Sequence, residues 1–342
     1  MSALAPAPRA PRSPWQRLYA AALAGRRRRA AARATKLARP VVSVGNLHWG
    51  GGGKTPFTIA LAEHLRDGGR RVAILSRGYR RASRGPLVVS RGTGPLVAAA
   101  AAGDEPHLLA ARLPGVAVVV GERRAAAGEL ALATLAPDLF LLDDGFSHVA
   151  LVRDLDLLVF PAADPWAGGR LLPSGRLREP LAAAAAADAV VLTGVETDAE
   201  CAGAALAHEL APYGYRGPGF ASATVARRPR LVGAGTLAPD AALYAVAAIA
   251  RPDGFFAAAH AAGLRLVGAR DFRDHHAFSP ADLRAIDTAA ARSGAAAVLA
   301  TEKDLAKLAG RLATPLAVLP IDARPEPAFW RWFDARLAEL AR

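Results

Sequence analysis

Short apolar runs alternate with stretches of helical period along most of this 342-residue chain. The runs at 71–76 (RVAILS), 116–120 (VAVVV), 138–142 (DLFLL), 155–160 (LDLLVF) and 188–193 (DAVVLT) predict strands. Helical period appears near 105–113, 122–135 and 198–211. Such alternation predicts a parallel sheet covered by helices on both faces. Between Tyr213 and Gly235 the chain turns rich in Gly, Pro and Arg, with extended patches FASATVA and RLVGAG, which read as a two-stranded linker. A second α/β run follows, with strands at 243–249, 264–269, 296–300 and 315–320 and helices at 253–262, 280–292 and 302–310. The closing segment 326–341 is helical, with Phe329, Trp330, Phe333 and Leu337 on one face. The expected division is a basic N-terminal segment at 1–39, a larger α/β domain at 40–212, a linker at 213–240 and a smaller α/β domain at 241–342, with a cleft between the two domains.

The first strand leads into the most specific motif. An apolar run (Val41, Val42, Val44) precedes VGNLHWGGGGKTP at 44–56, and a helical pattern (Phe57, Ile59, Ala60, Leu61, Leu65) follows. Strand, glycine loop, Lys-Thr and helix make a phosphate-binding P-loop. Glycines let backbone N–H groups close around phosphate oxygens, and the helix N-terminus adds partial positive charge. The expected nucleotide contacts are His48, Trp49, Gly50, Gly51, Gly52, Gly53, Lys54 and Thr55, with Lys54 on the β- and γ-phosphates and the Thr55 hydroxyl on Mg²⁺. His48 stands where the usual pattern has its first glycine.

Composition strengthens this reading. Of 43 Lys and Arg residues only four are lysine: Lys36, Lys54, Lys303 and Lys307. A lysine kept in so arginine-rich a chain points to a compact point charge that a planar guanidinium does not imitate. The single cysteine, Cys201, excludes an internal disulfide and suits a reducing compartment. No apolar run approaches the ~18 residues of a membrane span, and the first residues lack the apolar segment of a secretory signal.

The net charge of +13 invites a nucleic-acid reading, but ten of those charges lie in residues 1–39, which carry no acid. The body holds little excess, and no sheet motif of interleaved basic and aromatic residues is present. Within the tail, Trp15, Leu18, Tyr19, Ala22 and Leu23 share one helical face, followed by four consecutive arginines. That pattern suits a helix lying in the headgroup region of an anionic membrane.

Other segments carry candidate chemistry. DLFLLDDGFSH (138–148) is an apolar strand ending in Asp143 and Asp144, carboxylates suited to Mg²⁺ beside a P-loop. Asp104 in GDEP has, on spacing alone, the look of a helix N-cap. Thr301-Glu302-Lys303-Asp304 resembles a capping box, its retained lysine being the one hint of more. The segment DFRDHH (271–276) offers a proton-handling histidine or a solvated loop, and sequence supplies no third ligand for a metal there.

Taken together, these segments resemble the tetraacyldisaccharide 4'-kinases, the lipid A 4'-kinases of Gram-negative bacteria. The matching pieces are VGNLHWGGGGKTP (44–56), LSRGY (75–79), GDEP (103–106), DDGFSH (143–148), LLPSGRLREP (171–180), AIARPDGFF (248–256), FRDHHAF (272–278) and TEKDLAKL (301–308), in family order. The resemblance implies a P-loop parallel-sheet kinase domain at 40–212 with a second, smaller α/β domain, transferring the ATP γ-phosphate to the 4'-hydroxyl of a tetraacyl glucosamine disaccharide 1-phosphate. It further implies Mg²⁺ as cofactor, a catalytic set of Lys54, Asp104 as base and a histidine of the DHH segment, His275 rather than His276, and a peripheral place on the cytoplasmic face of the inner membrane. Arg77 and His276 become substrate contacts. Ser147 replaces an expected glutamine, and Arg80 stands where glycine usually follows LSRGY. The competing reading is a membrane-associated P-loop ATPase without a lipid-sugar substrate. Partitioning ATPases of that kind carry a signature lysine where Trp49 stands here.

Overall fold

The computed structural model describes residues 4–8, 14–195 and 201–340; Arg9 and Arg12 of the basic tail, the start of the helix expected at 198–211 and the last residue of the one expected at 326–341 lie outside them. The first elements are α1 (Pro14–Ala31), β1 (Val41–Gly45), α2 (Lys54–Asp67), β2 (Val72–Ser76), β3 (Leu87–Arg91), α3 (Ala99–Ala102), α4 (Asp104–Arg112), β4 (Ala117–Val120), α5 (Arg124–Leu135) and β5 (Leu139–Asp143). They are followed by β6 (Leu155–Pro161), β7 (Ala189–Val195), α6 (Ala202–Leu210), β8 (Gly219–Ala226) and β9 (Arg230–Leu231). The remainder is β10 (Leu243–Ala247), α7 (Pro252–Ala261), β11 (Leu266–Asp271), α8 (Pro280–Arg292), β12 (Ala297–Thr301), α9 (Glu302–Leu308), β13 (Leu316–Leu319), β14 (Ile321–Pro325) and α10 (Pro327–Leu340).

Two compact units result, one of residues 1–224 and 323–342, the other of 225–322. The first holds a nine-stranded sheet in the order β14-β8-β7-β6-β1-β5-β2-β4-β3. Strands β8 through β4 run parallel, and β3 closes the edge antiparallel to β4. Both faces are covered, which is why the strands read as unbroken apolar runs. Val42 and Val44 pack with residues of α2, α4 and α10, while Val41 on the other face packs with Ala127 and Ala131 of α5. The second unit holds a sheet in the order β11-β10-β12-β13-β9, parallel except for β9. Among the described residues no helix is long and apolar enough to cross a membrane.

The fold is the expected P-loop α/β architecture with a smaller α/β unit, but the bounds differ. The chain leaves the first unit through β8 and re-enters it through β14, so those strands form the two-stranded connection. RLVGAG supplies only the two-residue β9, paired to β13. The closing helix, assigned by sequence to 241–342, instead packs on the large sheet. Phe329 lies edge-on to Phe57 of α2 at 5.3 Å and to Phe220 of β8 at 5.5 Å, and Trp330 stacks on His64 at 4.2 Å. Helical period identifies a buried face and not its partner, so it could not place α10.

Candidate functional site

The site of the first unit forms at the C-terminal ends of β1, β2 and β5, which are neighbours in the parallel sheet. The P-loop leaves β1 and enters α2 at Lys54, with Gly53 at the N-cap. Gly53 sits at φ 75°, and a Cβ there would press on Thr193 Oγ1 at 2.7 Å, so glycine is required on both counts. Thr193, on β7, donates its hydroxyl to the Gly52 carbonyl at 3.0 Å and fixes the loop from outside.

Lys54 Nζ donates to Asn46 Oδ1 at 2.9 Å and approaches Asp144 Oδ1 at 3.3 Å. Arg178 completes the ring, donating in parallel to the two Asp144 oxygens at 3.0 and 2.8 Å and to Asn46 Oδ1 at 2.6 Å. Burial opposes charge on Asp144, but Lys54 and the bidentate Arg178 outweigh it and hold the carboxyl well below the usual range. Asp144 lies just past β5 at φ 53°, so it leaves the alternation of the strand and turns toward the P-loop.

Asp143, the last residue of β5, is buried. Burial first, then the charges of Glu105 and Asp144, push its carboxyl up to about 7, against Lys54 and Arg124. One of its oxygens faces the Ser76 hydroxyl at 3.4 Å, and the other, Oδ1, is buried without a hydrogen-bond partner among the described residues. That orphaned oxygen fits a hard cation. No cluster of three His, Cys, Asp or Glu suited to a metal occurs among the described residues. A Mg²⁺ would therefore rest on one or two carboxylates, the Thr55 hydroxyl and phosphate oxygens, which is this ion's preferred arrangement. Thr55 is the second residue of α2.

The LSRGY and GDEP motifs meet glycine to glycine. A Cβ on Gly103 (φ 92°) would lie 3.1 Å from the Gly78 backbone. Gly103 is itself the N-cap of α4, and Asp104 is the first helical residue, so the capping reading of Asp104 does not hold. Asp104 is half-buried in the first turn, where the helix dipole favours a carboxylate. Arg80 adopts φ 59°, a left-handed conformation that explains why glycine suits this position. A cavity of about 300 Å³ opens beside Arg77, Tyr79, Arg80, Arg81 and Glu122, three of them guanidinium groups.

His48 and Trp49, expected beside the phosphate-binding glycines, also make contacts within the fold, while the Trp49 side chain is exposed. His48 is buried with Nε2 2.7 Å from the Pro165 carbonyl, and the Trp49 N–H donates to the Arg176 carbonyl at 2.7 Å. Sequence reasoning also missed Asn46, Arg124 and Arg178. Arg124 is buried at the start of α5, and burial lowers its guanidinium to about 10 despite Asp144, Asp143 and Glu122. Its Nη1 donates to the Gly121 carbonyl at 3.0 Å. Arg178 lies inside the LLPSGRLREP segment, where spacing alone assigns the arginine no role. Ser147 is exposed, whereas burial and then Arg124, Arg153 and Arg77 lower neighbouring His148 to about 4, leaving it neutral near pH 7.

In the second unit the DHH segment follows β11. Its two histidines differ sharply. His276 sits 3.0 Å from Asp282, the carboxylate of the α8 capping box, and stacks on Phe272 at 4.8 Å. His275, at φ 61°, lies with its Nε2 3.2 Å from Lys303 Nζ.

The chain matches the family model described as tetraacyldisaccharide-1-P 4'-kinase over residues 11–338. A curated tetraacyldisaccharide 4'-kinase of Anaeromyxobacter sp. (strain Fw109-5) is 44% identical over 312 residues, covering 87% of this chain and 83% of that protein. A protein of the same name from Geobacter sulfurreducens is 41% identical over 304 residues, covering 84% and 82%. A solved structure of LpxK from Aquifex aeolicus in complex with ATP superposes with a TM-score of 0.74 at 31% identity, covering 96% of this chain and 97% of that one.

Proposed function

Because the chain belongs to the tetraacyldisaccharide-1-P 4'-kinase family, we propose that it transfers the γ-phosphoryl group of ATP to the 4'-hydroxyl of a tetraacyl glucosamine disaccharide 1-phosphate. The observation that carries this reading is the ring of Asn46, Lys54, Asp144 and Arg178 at the mouth of the P-loop, with Glu105 of the GDEP turn close enough to act on buried Asp143. A site of that kind concentrates cationic donors where a triphosphate is bound and keeps a carboxylate-bearing turn beside them. Phosphoryl transfer asks the protein mainly to position groups and neutralise charge.

In the reaction the acceptor oxygen forms a bond to the γ-phosphorus while the bond from that phosphorus to the β,γ-bridging oxygen breaks, leaving ADP. The hydroxyl proton passes to the Asp104 carboxylate, and His275 is the second catalytic group of this reading. Lys54 neutralises charge on the β- and γ-phosphates, and Arg124 and Arg178 add positive charge around Asp143 and Asp144. Thr55 and Asp143, with Asp144 beside them, would hold Mg²⁺, which supplies charge neutralisation when bound. Arg77 contacts the disaccharide phosphate or sugar. The exposed apolar face of α1, with Trp15, Leu18 and Tyr19, rests on the cytoplasmic leaflet of a Gram-negative inner membrane, where the acyl chains of the acceptor stay.

The direct test is incubation with γ-labelled ATP and the tetraacyl disaccharide 1-phosphate, followed by separation of the lipids. Label in the lipid fraction is the expected result. Phosphate release with no labelled lipid would favour a lipid-stimulated ATPase instead.

A further inference from the structure

Three segments of the second unit converge on one residue, Ala248. Its N–H donates to Asp304 Oδ2 at 2.8 Å, and its carbonyl accepts the His275 N–H at 3.3 Å. Asp304 is fully buried, takes the Thr301 hydroxyl at 2.7 Å and has its own N–H bonded back to Thr301 Oγ1 at 3.2 Å. The start of α9 is therefore tied to the end of β10, directly beneath the DHH loop. This fixes Lys303, one residue earlier in the same helical turn, in register with that loop. Its Nζ donates to Asp274 Oδ1 at 2.9 Å and lies 3.2 Å from His275 Nε2.

The donor chemistry is asymmetric. An ammonium group has three donors and no acceptor, whereas a neutral imidazole has one nitrogen of each kind. A contact between Lys303 Nζ and His275 Nε2 thus requires Nε2 to present its lone pair and Nδ1 to carry the proton. Asp274 balances the ammonium charge beside the ring. A guanidinium would spread its donors over a planar fork, which accounts for a lysine here in a chain that otherwise uses arginine.

We infer that Lys303 is a positioning residue for His275: it selects the Nδ1–H tautomer by holding Nε2 as an acceptor. This rests on the reading of His275 as a catalytic residue. Second-sphere groups commonly fix histidine tautomers in this way.

The test is long-range ¹H–¹⁵N correlation spectroscopy on the full chain labelled with ¹⁵N-histidine, His275 being assigned by the signal lost in His275→Gln. The wild type is expected to show the Nδ1–H tautomer at His275. In Lys303→Met that signature moves to the Nε2–H form, and kcat falls by about tenfold or more, a part of the ~10²–10⁴ that acid–base catalysis contributes, with the KM for ATP unchanged. Lys303→Arg, which keeps a donor, restores the tautomer and part of the rate. Should Lys303→Met unfold, Lys303→Glu, whose ionised carboxylate only accepts, serves for the same spectrum: the Nε2–H form is expected, and a retained Nδ1–H form overturns the inference. An unchanged His275 tautomer in a folded Lys303→Met protein overturns the inference. A changed tautomer with wild-type kcat upholds the positioning role and removes His275 from the catalytic reading.

Discussion

In the proposed reaction a single side chain, Lys54, carries the charge that the P-loop offers to the phosphates. It is tied to Asn46 and Asp144, which are themselves clamped by Arg178. Removing the ammonium leaves Asp144 with its bidentate arginine, so the fold has a local replacement for the lost charge. Lys54→Ala is therefore expected to melt within a few degrees of the wild type while phosphoryl transfer falls by roughly 10²–10³, the usual loss for one electrostatic donor. Turnover undiminished in the labelled-ATP assay would remove the P-loop from the reaction. Asp104→Asn asks a different question, because Gly103 already caps the helix. It should lower kcat far more than it changes the KM for ATP, whereas a loss confined to Tm would return Asp104 to a structural role. Lys54 and the Asp143–Asp144 pair were legible from sequence because glycine spacing and a strand ending in acids carry their chemistry locally. Asn46, Arg124 and Arg178 were not, since Arg178 reaches Asn46 and Asp144 from the distant β6–β7 connection and Arg124 is brought near the acids only by the β4–α5 junction. Arg124 in particular follows β4 as one of two adjacent arginines, and nothing in that pattern marks it for burial.

At the scale of elements, apolar runs predicted the strands well because both faces of this sheet are covered. The strands left unforeseen, β3 and β14, are the two edges of the large sheet, where side chains are less buried and the apolar signal is dilute. The position of α10 was equally hidden. Phe329 is buried against Phe57 and Phe220, so Phe329→Ala should cost about 3–5 kcal/mol, seen as a lower denaturant midpoint of the unit that contains the P-loop. An effect confined to residues 225–322 would contradict that placement of the helix. The α8 cap gives a pH-dependent counterpart. Asp282 accepts from Ser279 and His276, and the Ser279 bonds foremost draw its carboxyl down to about 2. A depressed acid contributes stability that is complete above its unfolded value near 4 and is lost as pH falls toward 2. Asp282→Asn should lower Tm at pH 7 and converge with the wild type by about pH 2. A constant gap across that range would mean that the charge is not what stabilises the cap.

At the scale of the whole molecule, the proposed acceptor carries four acyl chains, so the proposal calls for a surface that meets a membrane. Helix α1 leaves Trp15 79% and Leu18 62% exposed, while Leu23 on the same face is buried. The four arginines that follow do not share one fate. Arg27 is half-buried, pairs with Glu179 and lies over the Phe146 ring at 4.9 Å, which anchors the helix beside Arg178 and the DDGF turn. Arg26, Arg28 and Arg29 are exposed. The two groups should therefore separate experimentally. Each exposed arginine near an anionic surface is worth about 1 kcal/mol, so changing Arg26, Arg28 and Arg29 together to Gln should weaken binding to anionic vesicles by ~3 kcal/mol, roughly a hundredfold. Most of that loss should vanish at 0.5 M salt, where the Debye length shrinks to a few ångströms. Trp15→Ser with Leu18→Ser should weaken binding in both low and high salt, because apolar insertion is not screened. Arg27→Gln should instead lower Tm and leave the salt-dependent part of vesicle binding nearly unchanged. If the triple arginine variant partitions like the wild type at low salt, α1 does not face the membrane, and the acyl chains must be met by another surface.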